Sequence, residues 1–400
     1  KGVEKLKWEN ILSGLPSIVR SEYALKHSFS SDNLFYFDVT SLHYGNGQFT
    51  GITRVVSCLN KSLRYLLDNF IPIIYVNSER VFCKYDWETQ RITKSKIDFS
   101  KNDFLISCCD SWNVEGYIEA IEEIASSNSN VYLMIYDCIP YFLPHSFGPG
   151  FSKIYKTWLS QILSTDANIL TISNHTKSDI LSFIKAEKID NKSVPEVVRL
   201  GDSLDRKLKE IAPDLKIRNS FILTVGTIEF RKNHQVLLDA YRILVDKGFI
   251  DLPQLIIVGK QGWMDNGINQ QSNFDPKISD KILVFNDLND DNLDYLYENC
   301  LFTVYPSFYE GWGLPVAESF SYGKACITSN LSSMPEICSE VSIFADPHDP
   351  YDWAEKFEEL ISDKNNVKKY ESAILEKYKR HNWNNTAVDI VRKITKNRSA

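Results

Sequence analysis

The stretch Tyr305-Pro306-Ser307-Phe308-Tyr309-Glu310-Gly311-Trp312-Gly313-Leu314-Pro315-Val316-Ala317-Glu318-Ser319-Phe320 carries more structural information than any other in the chain. It leaves the apolar run Phe302–Tyr305, passes two glycines and enters a helical pattern that Gly323 ends. Pro315 fits the first helical position, where a missing N–H costs nothing, and Gly323 fits the left-handed stop. The Gly311–Leu314 turn therefore presents backbone N–H groups at the positive end of a helix, a ready site for phosphate. Glu310 precedes the turn at the carboxyl end of a strand, where open α/β sheets bind ligands. Glu318 is expected in the first helical turn. There its carboxylate either accepts two hydroxyls of a sugar or only complements the helix dipole, which is worth about 0.3–1 kcal/mol.

A second stretch lies upstream: Gly226-Thr227-Ile228-Glu229-Phe230-Arg231-Lys232-Asn233, directly after the apolar run Phe221–Val225. Arg231 offers a planar fork for phosphate oxygens and Lys232 a point charge, so the pair suits a diphosphate. Adjacent cations on a surface loop are ordinarily just solvated, and neither is expected to belong to a core. Their place after a strand is what favours the phosphate.

Around these stretches, short apolar runs alternate with amphipathic ones. Strands are expected at Leu34–Thr40, Ile71–Val76, Phe104–Ser107, Val131–Tyr136, Ile169–Ile172 and Val194–Leu200 in the first half. The second half offers Phe221–Val225, Gln254–Val258, Ile282–Phe285, Phe302–Tyr305, Ala325–Thr328 and Val341–Phe344. Helical patterns such as Val236–Asp246 lie between them. The repetition predicts parallel sheets covered on both faces, in two doubly wound α/β (Rossmann-like) domains. The expected divisions are a helical extension or linker at 1–33, an N-terminal domain at 34–200, a C-terminal domain at 215–380 and a returning helix at 381–400. Asp290-Asp291 reads as a helix-capping cluster, and His175 as part of a helix N-terminus.

The 400 residues carry 45 Lys+Arg against 52 Asp+Glu, a net charge of −7, which gives no support to a nucleic-acid binder. No apolar run reaches the ~18 residues of a membrane span. Eight cysteines are scattered without zinc spacing and sit mainly in apolar runs, which predicts buried thiols in the cytoplasm. Lys1-Gly2-Val3 lacks an initiator Met, so the chain reads as a piece of something longer or a trimmed form.

Glu310 and Glu318, separated by seven residues, together with the Gly226–Asn233 stretch, resemble the signature of glycosyltransferase family 4. Further resemblance lies in Thr50-Gly51-Ile52-Thr53-Arg54, Tyr136-Asp137-Cys138-Ile139-Pro140, Ile172-Ser173-Asn174, Val258–Trp263 and Leu331–Glu336. Within the family the set is most similar to bacterial mannosyl- and rhamnosyltransferases of O-antigen and capsular polysaccharide. Two departures are visible. Phe230 stands where relatives often carry Pro, and Leu200-Gly201-Asp202-Ser203 lacks the usual Gly-Val-Asp form, so no role is carried over to Asp202.

The resemblance implies a GT-B fold, two Rossmann-like domains facing across a cleft, and a retaining transferase that uses a nucleotide-sugar donor. Arg231 and Lys232 would hold the donor diphosphate, assisted by Gly311, Gly313, Leu314 and Pro315 at the helix start. Gly226, Thr227 and Gly51 would let backbone approach the phosphates. Glu318 would bind the ribose, Glu310 the transferred sugar, and Asp137 the sugar or acceptor; Asp137 also reads as a simple turn residue. No covalent nucleophile is evident. No metal and no cofactor are expected, because the chain lacks Asp-x-Asp and the two cations can replace a metal. The expected donor is GDP-mannose, with dTDP-rhamnose as the alternative, and the acceptor is an oligosaccharide or lipid-linked glycan. Access to a lipid would come through a partner, a membrane-associated synthase complex or further domains of a longer polypeptide, keeping the chain cytoplasmic or peripheral at the inner face of the membrane. A GT-B nucleotide-sugar epimerase and a non-catalytic glycan-binding module are the rival readings.

Overall fold

The structure, a computed structural model, describes residues 33–44, 51–127, 130–191, 193–203 and 217–396. The expected extension at 1–33 lies outside the described residues except for Asn33, as do the loop 45–50, the charged segment 204–216 and the last four residues.

Two sheets are formed. The first contains β1 (Phe35–Asp38), β2 (Phe70–Val76), β3 (Val81–Asp86), β4 (Arg91–Lys96), β5 (Phe104–Ser107), β6 (Val131–Ile135), β7 (Asn168–Thr171) and β8 (Glu196–Val197). Their spatial order is β4-β3-β2-β1-β5-β6-β7-β8. The second contains β9 (Phe221–Val225), β10 (Gln254–Val258), β11 (Ile282–Phe285), β12 (Thr303–Tyr305), β13 (Cys326–Ser329) and β14 (Ile343–Ala345), in the order β11-β10-β9-β12-β13-β14. This sheet is parallel throughout. Central strands such as β1, β5, β6 and β10 are buried at every residue, as strands covered by helices on both faces must be.

The expectation of a wholly parallel first sheet needs one correction. β2–β3 and β3–β4 pair antiparallel, so a hairpin extends one edge. β4 (Arg-Ile-Thr-Lys-Ser-Lys) has a single strongly apolar residue, which is affordable at an edge that packs on one side only.

In each sheet the strand order reverses at one place, between β1 and β5 in the first and between β9 and β12 in the second. The loops leaving the carboxyl ends of such a pair diverge and leave a crevice. Both crevices contribute to the interdomain cleft. The final helix, Trp383–Lys396, crosses back to the N-terminal domain: the Tyr132 hydroxyl donates to the Ile394 carbonyl at 3.1 Å, and Thr386 Oγ1 to the Arg199 carbonyl at 3.0 Å. One buried cluster accordingly joins Val55, Leu59 and Phe104 to Val316 and Phe320 and to Ile390 and Ile394. Asp202, to which no role was carried over, is buried and accepts from the Tyr378 hydroxyl (2.8 Å) and the His381 N–H (2.7 Å), which ties this crossover down.

Among the described residues all eight cysteines are free thiols, six of them buried. No described helix is long and apolar enough to cross a membrane.

Candidate active site

β9 ends at Val225, and the chain then runs through Gly226 into a single 3-10 turn, Phe230–Lys232. The loop passes close against the one that follows β10. A Cβ on Gly259 would lie 1.8 Å from the Gly226 carbonyl oxygen, so only glycine allows these backbones to touch. Thr227 is exposed beside Gly262. The turn aims Arg231 and Lys232 at the segment leaving β12, across the reversal point of the sheet.

The two cations are not on a solvated surface loop, and the burial of Lys232 corrects the expectation that neither belongs to a core. Lys232 is only 9% exposed; its Nζ donates to Tyr305 Oη and to Glu310 Oε1, both at 2.6 Å. Arg231 Nη1 lies 2.8 Å from Glu310 Oε2, and its Nε lies 2.8 Å from Glu229 Oε1. Glu310 thus receives one cation on each oxygen. Burial alone would raise its pKa, but Arg231 and Lys232 outweigh that and hold it at about 2. Burial and neighbouring Arg231 push the Lys232 amine down, against the pull of Glu310. Tyr305 and Glu229 are further neighbours of the two cations to which sequence reading gave no role, although Glu229 belongs to the stretch that carries the resemblance.

The helix Leu314–Ser321 begins after Gly313, whose φ of +113° only glycine adopts readily. Pro315 is its second residue, not the first as expected, and the Val316 and Ala317 N–H groups return to the Gly313 carbonyl at 3.0 and 3.2 Å, which leaves the Leu314 N–H as the helical donor ahead of them. Gly323, at φ +73°, ends it: the Lys324 N–H returns to the Ser319 carbonyl and the Gly323 N–H to the Phe320 carbonyl. Glu318 is the fifth residue of the helix, one place beyond the first turn in which it was expected. It is 3% exposed, and both oxygens are taken, Oε1 by Arg54 Nη1 at 2.5 Å and Oε2 by the Tyr297 hydroxyl at 2.9 Å. Arg54 belongs to the helix Gly51–Leu66 of the other domain, so this pair spans the cleft. Gly51, exposed at the start of that helix, faces open space. Asn289, rather than Asp290-Asp291, caps the helix Asp290–Asn299, accepting from the Asn292 N–H at 2.8 Å.

Asp137 follows β6. Its carboxylate accepts the Ile139 N–H at 3.0 Å, the turn role considered above, and burial raises its pKa while Arg231 opposes. Gly311 packs directly over it: a Cβ there would lie 2.1 Å from the Tyr136 carbonyl oxygen and 3.1 Å from Asp137 Cβ. Further contacts close this side of the cleft. Glu336 accepts from the backbone N–H groups of Asn174 (2.8 Å) and His175 (2.7 Å) at the start of the helix Asn174–Glu187, Tyr309 donates to Asp179, and Thr176 Oγ1 reaches the Gly311 carbonyl at 3.3 Å. His175 therefore stands at a helix N-terminus, as expected. A cavity of about 130 Å³ remains between Asp137, Glu229 and Arg231 and the aromatic rings of Trp112, Phe147 and Trp158. Ligand pockets usually measure ~300–1,000 Å³, so this cavity is smaller than most. A larger cavity of about 370 Å³ lies beside β7 and β8 and shares no residue with this site. Among the described residues no cluster of three or more His, Cys, Asp or Glu could hold a metal.

Two Rossmann-like domains meeting across a cleft, with cations and carboxylates at the reversal point of the second sheet, define the GT-B fold. The structure described as that of WaaG, a glycosyltransferase of lipopolysaccharide biosynthesis, superposes with a TM-score of 0.60 over 91% of this chain and 99% of that one, at 12% identity. Residues 207–380 match the family described as glycosyl transferases group 1, and the chain resembles O-antigen mannosyltransferases. O-antigen chain mannosyltransferase B of Escherichia coli is 32% identical over 195 residues, 48% of this chain and 50% of that protein. The serotype-specific mannosyltransferase WbdA of Escherichia coli is 26% identical over 243 residues, 60% of this chain and 30% of that protein. The chain thus spans half or less of the length of these relatives.

Proposed function

We propose that the chain is a retaining glycosyltransferase that moves a hexose from a nucleotide sugar to a hydroxyl of a growing surface polysaccharide. The observation that carries this reading is the convergence of Arg231, Lys232 and Glu310 beside the start of the helix Leu314–Ser321, at the reversal point of the second sheet. When the glycosidic C–O bond breaks, negative charge gathers on the departing phosphate oxygen. Arg231, Lys232 and the helix start are preorganised to receive it in a site closed to water, where such groups typically supply several kcal/mol each. Glu310, held ionised by the same cations, turns to the hydroxyls of the transferred sugar. Asp137 orients the sugar or acceptor from the opposite domain, and the departing phosphate takes the acceptor proton. No metal or other cofactor has a part in this scheme.

Mannose from GDP-mannose is the favoured transfer, in keeping with the names of the relatives, and dTDP-rhamnose is the second donor to try. The test offers each nucleotide sugar separately with a synthetic oligosaccharide that lacks the lipid, and reads the anomeric configuration of the product by NMR. A mannosylated product with the donor's configuration is expected. A product of inverted configuration would remove the retaining mechanism. Inertness of both donors while another reacts would remove the donor assignment. Conversion of the free donor to an epimer without acceptor would replace transfer by epimerisation.

A further inference from the structure

Resting on the donor site proposed above, we infer that Arg54 changes partners when a nucleotide sugar enters, giving up Glu318 to the ribose and taking the diphosphate itself. The ribose position is occupied from within. Glu318 is buried with both oxygens engaged, so a ribose hydroxyl gains an acceptor only if Arg54 or Tyr297 leaves. Tyr297 is fully buried on the same domain as Glu318 and stays with it. Arg54 comes from the opposite domain, is only partly buried, and has Asp290, an exposed carboxylate 3.8 Å away, as its other ionic contact. Arg54 is the partner free to go.

Charge decides where it goes. The cluster expected to meet the diphosphate holds Arg231 and Lys232 against Glu310 and Glu229, two positive and two negative groups that sum to zero, and Asp137 faces them as a further acid, so the cluster has no positive charge to spare. A diphosphate entering that cluster adds at least two negative charges, and an arginine released alongside it supplies part of the balance. The distance is short. Glu318 lies four residues beyond Leu314, about 6 Å along the helix axis at 1.5 Å per residue, so its partner Arg54 is paired little more than one turn from the helix start. A guanidinium also presents paired donors to two phosphate oxygens, which one carboxylate oxygen does not fully use. The exchange makes recognition conditional. A nucleoside alone would have to break the Arg54–Glu318 pair with nothing to offer the arginine, whereas a nucleoside diphosphate repays the arginine at once.

The experiment titrates the intact chain with GDP and guanosine, and with UDP and uridine, using the diphosphate that binds more tightly and its own nucleoside. Arg54→Gln is expected to weaken the diphosphate about ten-fold or more while the nucleoside binds as well as before or better. Arg54→Lys keeps the pair with Glu318, and so the fold, but loses the fork. It is expected to weaken the diphosphate several-fold and leave the nucleoside unchanged, so it carries the comparison if Arg54→Gln does not fold. Glu318→Gln should weaken diphosphate and nucleoside alike. If it does so while the Arg54 variants shift both ligands by one factor, or neither, Arg54 is only a latch and the exchange is overturned. If Glu318→Gln leaves both ligands untouched, the donor-site reading itself fails and takes the exchange with it.

Discussion

Gly311→Ala adds one carbon where the two domains touch. That carbon would lie 2.1 Å from the Tyr136 carbonyl oxygen, against an ordinary carbon–oxygen approach of about 3.3 Å, so the facing backbones must part by roughly 1.2 Å. No rotamer change relieves the clash, because both partners are backbone-fixed. The hydroxyl of Thr176, which reaches the Tyr136 carbonyl at 3.2 Å and the Gly311 carbonyl at 3.3 Å, would no longer span both. Asp137 would move away from Glu310 and Arg231 by the same step. Overpacking of this kind costs about 1–3 kcal/mol, here drawn from the interdomain contact, and a displacement near 1 Å at a reacting centre lowers turnover about 10²-fold. The assay measures initial rates at saturating donor together with small-angle scattering of the free protein. The variant is expected to turn over about a hundred-fold more slowly and to show a larger radius of gyration. Turnover and radius matching the unmodified chain would refute the claim that this contact assembles the site.

Lys232→Met leaves the buried Glu310 with one cation fewer, so urea unfolding should show a loss of about 3–5 kcal/mol alongside the loss of activity; an unchanged midpoint would mean that Glu310 is solvated. His234 is buried with Nδ1 unpartnered, and burial followed by Lys232 pushes its pKa from 6.5 down to about 3. The unfolded chain therefore binds the extra proton first. This contribution to stability is whole above about pH 6.5 and shrinks by about 1.4 kcal/mol per pH unit as pH falls toward 3. Glu310, whose pKa is lowered from 4.5 to about 2, adds a further loss below 4.5. Unfolding measured from pH 7 to 4 should show this slope, and His234→Phe should flatten its upper part. Tyr378→Phe removes one donor from buried Asp202 and is expected to lower stability by about 1–3 kcal/mol, read from the thermal midpoint.

The central strands were legible because they are mostly apolar; Phe104–Ser107, Phe221–Val225 and Gln254–Val258 fall where the apolar runs place them, as does the apolar edge strand Ile282–Phe285. The β3–β4 hairpin was not. Its turns put Arg80 and Gln90 in the left-handed region, at φ 54° each, where Gly or Asn would have signalled a turn, and Val81–Asp86 alternates with Lys and Asp. At the site, Arg231, Lys232, Glu310 and Glu318 stood out through type and spacing. The pairing of Arg54 with Glu318 did not, because it joins residues 264 apart and follows from how the domains meet, not from any local pattern. The same holds for Glu336 at the start of the helix Asn174–Glu187. The burial of Lys232 was hidden for a different reason: a charged residue in a polar loop reads as exposed until its two partners, Tyr305 and Glu310, are brought over it.

The central claim is that the cleft at Arg231 and Lys232 holds a nucleotide-sugar diphosphate. Calorimetric titration of GDP-mannose, and of other nucleotide sugars in turn, into the intact chain and into Arg231→Ala tests it most directly. One donor binding at one site per chain, with affinity at least about ten-fold weaker in the variant, is the expected result. A donor that binds the Arg231→Ala chain as tightly as the unmodified one would contradict the claim.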